Sequence, residues 1–369
     1  MLQRIPVCLL LTPLLLGVFV HSTSARTGDR FQIVRVDWHM AAYCEAGGDW
    51  RGAHQNFSAL IRDAGFLPLP IREWYRGFAY LGDARAAARL GDTVTAQQQM
   101  VRAFEHGFAN YAILLQDSAM MSVVGRAFTD SVGRFWEKIQ QKNAPYWPAQ
   151  HEIVFRPREA RPGMPILIAM HGGNGSYLNH STYWADIAER YGINVIVPAG
   201  IIRTSEVANS WEYDISAFAP TIIELAHHYE QVFGTPASKV YLAGYSQGAQ
   251  GALALTLEHP EEFSGAISFS GFLIAPVSDS QWSNAAKHGP RLFALSGVLD
   301  SPQFLASLEE AQHRATAEGL LFRFEREEAM VHEMPLDFEK QFDRAWQWIT
   351  AGKLSSDDST QEDPTPDKH

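Results

Sequence analysis

Only two cysteines occur in 369 residues, Cys8 and Cys44. Two thiols allow at most one disulfide, so a chain of this size must rest on its apolar core rather than on covalent staples. Cys/His metal spacings are also missing, and neither a metal nor any other cofactor is expected. Basic residues are in the minority, 30 Lys and Arg against 41 Asp and Glu, for a net charge of −11. That balance argues against nucleic acid and anionic membrane as partners. Long apolar runs are scarce. The one that stands out, Ile5 to Val20, covers about 16 residues, fewer than the ~20 of a membrane span.

That run follows Arg4 and ends in small residues, with Thr23 and Ala25 in the −3 and −1 places before Arg26. Residues 1–25 are therefore expected to be a cleaved secretory signal, with the protein secreted or periplasmic and no membrane span after cleavage. A retained anchor is the alternative. Cys8 leaves with a cleaved signal, and Cys44 then has no partner.

Apolar residues recur at helical spacing across "WRGAHQNFSALIRDAGF", "IREWYRGFAYLGDARAAARL" and "TAQQQMVRAFEHGF", so residues 26–145 read as a helical domain. Gly48-Asp49 and Gly91-Asp92 stand between such runs. In each pair the glycine ends one helix and the aspartate caps the next. Four residues on, Ala53 and Ala96 leave room for antiparallel helices to approach. The region resembles tetratricopeptide helix pairs, most clearly over residues 78–108, although the two Gly-Asp units are 43 residues apart rather than ~34. It reads either as a cap packed on the next domain or as a groove for a protein partner.

Residues 143–150, "NAPYWPAQ", read as a linker. Beyond them the period changes. "HEIVF", "MPILIAMHGG", "INVIVPAG", "KVYLAGYS", "GAISFSG" and "RLFALSGVLD" are short apolar runs with helical stretches between several of them. Such alternation over residues 150–351 predicts an α/β fold with a mostly parallel central sheet. Residues 352–369, polar and acidic, read as a disordered tail.

The most informative stretch is "LAGYSQGAQ". A strand that turns at once into a helix crowds the turning residue, and Gly244 and Gly248 relieve that crowding. Ser246 is then lifted out at the strand's C-terminal edge, facing the N–H groups of a helix start. A serine hydroxyl needs a base, and the base needs an orienting group. "LSGVLDSP" offers Asp300 and "AMVHEMP" offers His332, both past strand ends and in the order Ser, Asp, His. Asp300 also suits a helix N-cap, and Asp279 is the fallback acid. Backbone N–H groups for an oxyanion are expected from Gln247 and, in "HGGNGS", from Gly173 or Asn174. His171 there reads as a structural residue. Trp211 and Tyr213 in "SEVANSWEYD" either line a substrate pocket or only pack their loop. Residues 271–289 are long enough for a small lid.

These motifs together resemble the α/β-hydrolase superfamily over about residues 150–351, and within it the esterase and carboxylesterase/phospholipase branch. The resemblance implies a serine hydrolase acting on small-molecule carboxylic esters through an acyl-enzyme, with the triad Ser246, Asp300, His332. A peptidase or thioesterase of the same fold, or a protein-interaction module with a vestigial hydrolase, are the alternatives. The helical domain lies outside the resemblance.

Overall fold

The computed structural model describes residues 25–108, 114–115, 117–147, 151–274 and 277–351. Residues 1–24 of the predicted signal, the tail after Ala351 and residues 148–150 of the predicted linker lie outside these.

The described elements of the N-terminal part are helices: α1 (Ala25–Ala46), α2 (Trp50–Asp63), α3 (Leu69–Arg89), α4 (Thr93–Glu105), α5 (Ser118–Val124) and α6 (Arg126–Asn143). The Gly-Asp pairs act as their chemistry dictates. Gly48 and Gly91 take φ of 74° and 81°, the left-handed region that glycine enters without steric cost. Asp49 and Asp92 then accept hydrogen bonds from the N–H groups of Gly52 and Thr95, capping α2 and α4. Ala53 and Ala96 are fully buried, and each of α1 to α4 packs on the next. Gly82-Asp83 falls inside α3. Gly82 abuts the Phe57 ring, and buried Asp83 is bonded by His54 at 2.5 Å and Gln99 at 2.6 Å. The helix α6 continues into a 3-10 turn at Ala144–Tyr146, so the first residues of the predicted linker extend a helix.

The C-terminal part is an α/β unit. Its strands are β1 (Ile153–Phe155), β2 (Ile166–Met170), β3 (Asn194–Val197), β6 (Val240–Tyr245), β7 (Gly265–Phe269), β8 (Arg291–Gly297) and β9 (Phe322–Glu327), with a small ribbon of β4 (Ile202–Arg203) and β5 (Asn209–Ser210) apart. The large sheet has seven strands in the order β1-β3-β2-β6-β7-β8-β9. Only β1 is antiparallel to its neighbour; every other pairing is parallel. Helices α7 (Tyr177–Ser181), α8 (Ala185–Tyr191), α9 (Ala219–Phe233), α10 (Gln247–Glu258), α11 (Asp279–His288), α12 (Pro302–Glu318) and α13 (Phe338–Ala351) connect and cover the strands. A parallel sheet must be buried on both faces. One face packs Ile166, Ile168, Leu242 and Leu253 with Phe263; the other packs Leu167, Ala243, Ile267 and Phe293 with Trp184 and Phe342. These alternating apolar runs are what the short strands read as in sequence. The C-terminal edges of β2, β6, β7 and β8 thereby come side by side, with Met170 opposite Gly244 and Phe269 opposite both Tyr245 and Leu295.

A candidate hydrolytic site at the sheet's carboxyl edge

At the end of β6 the chain turns into α10 within one residue. A Cβ on Gly244 would run into the backbone of Gly248, and one on Gly248 into the carbonyls of Met170 and His171. Any side chain at either place would force the helix off the sheet. Between them Ser246 holds φ 53°, a conformation costing about 1–3 kcal/mol that only a rigid surround maintains. Its N–H donates to the Phe269 carbonyl at 3.0 Å, which fixes the turn to the neighbouring strand.

Three sequence-predicted residues meet here. Ser246 Oγ lies 2.8 Å from His332 Nε2. His332 Nδ1 lies 2.9 and 3.0 Å from the two carboxylate oxygens of Asp300. The Asp300 side chain is 1% exposed and that of His332 34%. Asp300 Oδ1 also accepts the Ser301 N–H at 2.6 Å. A carboxylate on Nδ1 keeps that nitrogen protonated and leaves Nε2 to accept the serine proton. Asp279, the fallback acid, is 88% exposed on α11 and paired with Arg314 at 2.7 Å.

The loop after β2 faces the serine. His171 is buried and does structural work. Its Nδ1 meets the Gly172 carbonyl at 2.7 Å and its Nε2 accepts the Gly200 N–H at 2.9 Å. Asn174 corrects an expectation. Its N–H donates to Ser210 Oγ at 2.8 Å, so that donor is already engaged. Gly173 N–H makes no hydrogen bond among the described residues, and Gln247 N–H is one of the unpaired donors at the start of α10. A Cβ on Gly173 would lie 2.9 Å from Gln247 Oε1, so the two residues are adjacent. Of the three expected donors, Gly173 and Gln247 are thus the two whose N–H groups stay unengaged among the described residues.

Of the two readings open for Trp211, pocket wall or loop packing, its position matches the second. It is 2% exposed and lies under the loop rather than in a pocket wall. Its indole N–H donates to the His171 carbonyl at 2.8 Å, and its backbone exchanges two hydrogen bonds with the Gln247 amide at 3.0 and 2.6 Å. Tyr213 is 68% exposed, two residues beyond. The apolar flank nearest His332 is Phe304, ring centroids 5.5 Å apart, with Phe272 stacked on it at 4.3 Å.

Sequence reasoning missed Ser270. It follows β7 at φ 45°. Its hydroxyl donates to the Glu333 carbonyl at 2.7 Å and accepts the Glu333 N–H at 3.2 Å, holding the loop that carries His332. The signal was available, a serine past a strand end beside the elbow. Glu333 itself is buried, and burial raises its carboxyl above the usual range. Among the described residues no cluster of three His, Cys, Asp or Glu side chains is arranged to hold a metal ion.

Burial depresses His171 to a pKa of about 4. The unfolded chain takes up this proton below about 6.5, while the native loop refuses it. The stabilisation is complete above that pH and is withdrawn as pH falls toward about 4. At pH 5 the loss from this residue is on the order of 2 kcal/mol. Denaturant unfolding at pH 7 and 5 checks it. The drop should be smaller by about that amount in His171→Asn than in the wild type, and equal drops would refute the assignment.

Residues 161–310 match the sequence model of the phospholipase/carboxylesterase family. No curated protein sequence matches the chain. Among solved structures, the esterase PE8 is similar at 16% identity, covering 55% of this chain and 100% of its own, with a TM-score of 0.46. A Bacillus cereus carboxylesterase is similar at 18% identity, with 56% and 98% covered and a TM-score of 0.42. An uncharacterized protein from Bacillus cereus ATCC 10987 covers 87% of this chain and 99% of its own at 15% identity, with a TM-score of 0.45. The parallel sheet, the elbow between β6 and α10 and the family match together make the C-terminal part of this chain an α/β-hydrolase domain of the phospholipase/carboxylesterase kind.

Proposed function

We propose that the protein is an exported serine hydrolase that cleaves carboxylic esters through an acyl-enzyme. The observation that carries the reading is the hydrogen-bonded line from Asp300 through His332 to Ser246 Oγ, at 2.9 and 2.8 Å. Ser246 Oγ attacks the ester carbonyl carbon as its proton passes to His332 Nε2. The carbonyl oxygen becomes an oxyanion between the N–H groups of Gly173 and Gln247. The tetrahedral species collapses, expelling the alcohol, which takes the proton from Nε2. Water then repeats the sequence on the acyl-serine and returns free Ser246. Asp300 keeps Nδ1 protonated and stabilises the imidazolium. Phe304 and Phe272 beside His332 supply an apolar flank, which favours esters over charged substrates. A vestigial site is disfavoured because all three members, Ser246, His332 and Asp300, are present and hydrogen-bonded in line, whereas a drifting site is expected to lose one of them.

A fluorophosphonate probe tests this directly. Its phosphoryl oxygen occupies the oxyanion position, so only an activated serine reacts quickly. One adduct is expected, on the peptide holding "YLAGYSQGAQ", absent in Ser246→Ala. The intact mass of the same exported sample should begin near Arg26. No adduct on the folded protein over hours would refute the hydrolase reading, and a mass including residues 1–25 would refute signal cleavage. A panel of p-nitrophenyl esters of rising acyl length then ranks the substrate.

A further inference from the structure

The two loops that flank the reacting groups are each tied to the helical region, at the residue next to the chemistry. Asn174 directly follows the oxyanion donor Gly173. It holds φ 51°, a left-handed conformation that asparagine enters more readily than other non-glycine residues. Its N–H is held by Ser210, and its carbonyl accepts the indole N–H of Trp74 on α3 at 2.9 Å, across 100 residues of chain. The Trp74 ring is fixed in turn by Trp38 at 5.8 Å, Tyr75 at 5.1 Å and Phe78 at 4.8 Å between centroids. The Gly173 N–H shares its peptide plane with the Gly172 carbonyl, which accepts the Gly175 N–H at 2.9 Å, so clamping both ends of the intervening Asn174 restricts how far that plane can turn.

Glu333 directly follows His332. Ser270 holds its backbone, and its buried carboxylate is hydrogen-bonded to Nδ1 of His39 on α1. A buried carboxylate without a partner is costly and would drag its loop toward solvent. One turn earlier on α1, Arg35 donates to Thr182 Oγ1 at 3.0 Å and its guanidinium lies 3.7 Å over the Tyr183 ring. Two contacts, one from α3 and one from α1, therefore reach the loops that flank the reacting groups, and a third from α1 reaches the turn after α7.

We infer that the helical region is a working part of the active site, with Trp74 and His39 as positioning residues for the oxyanion loop and the histidine loop. The inference rests on the serine-hydrolase reading. Misplacing a reacting group by about 1 Å through a distant change costs up to 10²-fold, and deleting one hydrogen bond should lose part of that.

Trp74→Phe keeps an aromatic ring and removes the N–H. His39→Leu removes the partner of Glu333, while His39→Gln restores a donor. Each variant is assayed with p-nitrophenyl acetate at a temperature where circular dichroism shows it folded. Trp74→Phe and His39→Leu should each lower kcat about 10-fold, with KM within about twofold, and slow fluorophosphonate labelling of Ser246 in proportion. The double variant should lose about 100-fold, because separate loops add. His39→Gln should recover to within about threefold of wild type. Arg89→Ala, at an exposed pair with Asp117 far from these loops, should leave kcat unchanged. Folded Trp74→Phe and His39→Leu with wild-type kcat would overturn the inference, as would equal loss in Arg89→Ala or no recovery in His39→Gln. If wild-type Ser246 fails to label, it is the hydrolase reading that falls instead.

Discussion

Ser246→Ala should lower kcat for ester hydrolysis by about 10⁴–10⁶-fold, and His332→Ala should do the same. Neither change should unfold the protein. Alanine at 246 loses only Oγ, and the turn is kept by Gly244, Gly248 and the bond from the Ser246 N–H to the Phe269 carbonyl. His332 is a third exposed at its side chain, so its removal opens no sealed cavity. The two losses should not add. Once the hydroxyl is gone the imidazole has no proton to take, and once the imidazole is gone the hydroxyl has no base. The double variant should therefore sit near either single one. What activity survives would come from the Gly173 and Gln247 N–H groups alone. Steady-state rates on freshly purified protein, with thermal unfolding run beside them, decide the matter. A folded Ser246→Ala protein within about 100-fold of wild type would mean that another group does the chemistry.

The parts of this site visible in sequence are those whose cause is local. Gly244 and Gly248 are dictated by the crowding of a strand against the helix it feeds, so the elbow can be read from five residues. The caps at Asp49 and Asp92 are equally local, since each bonds an N–H three residues on. The sheet showed itself because strands buried on both faces must be continuously apolar. What could not be read depends on distant partners. Asn174 and Gly173 look equivalent in "HGGNGS", and only Ser210, 36 residues later, engages the Asn174 N–H. Sequence leaves open whether Trp211 lines a pocket or packs its loop, because its burial under His171 is a tertiary fact. Trp74 and His39 carry no signal at all, since helical spacing says which face is apolar but not which loop it will meet. The question whether the helical region caps its neighbour or offers a groove thus gains a physical bearing. Its α1 and α3 are engaged by the hydrolase loops.

Asp300→Asn should cost about 10⁴-fold in kcat while leaving the fold intact. The two side chains have the same shape, so the buried site does not collapse. What changes is the proton pattern. Asp300 offers acceptors only, and both of its oxygens face His332 Nδ1, at 2.9 and 3.0 Å. Oδ1 is also claimed by the Ser301 N–H at 2.6 Å. In asparagine the single oxygen will stay with that N–H, and the amide NH₂ will turn to Nδ1. A donor facing Nδ1 forces the imidazole proton onto Nε2. That nitrogen then points a hydrogen at Ser246 instead of a lone pair, and the serine has no base. The imidazolium of the transition state also loses its counter-charge. Fluorophosphonate labelling of Ser246 should slow by a similar factor, because it needs the same proton transfer. Binding of substrate should change little, since Asp300 is buried behind the imidazole and away from the ester. If Asp300→Asn keeps activity within about tenfold, Asp300 serves only the turn before α12. The orienting acid would then have to be another carboxylate. Asp279 is turned to solvent with Arg314, and Glu333 is already bonded to His39, so neither stands ready to replace it.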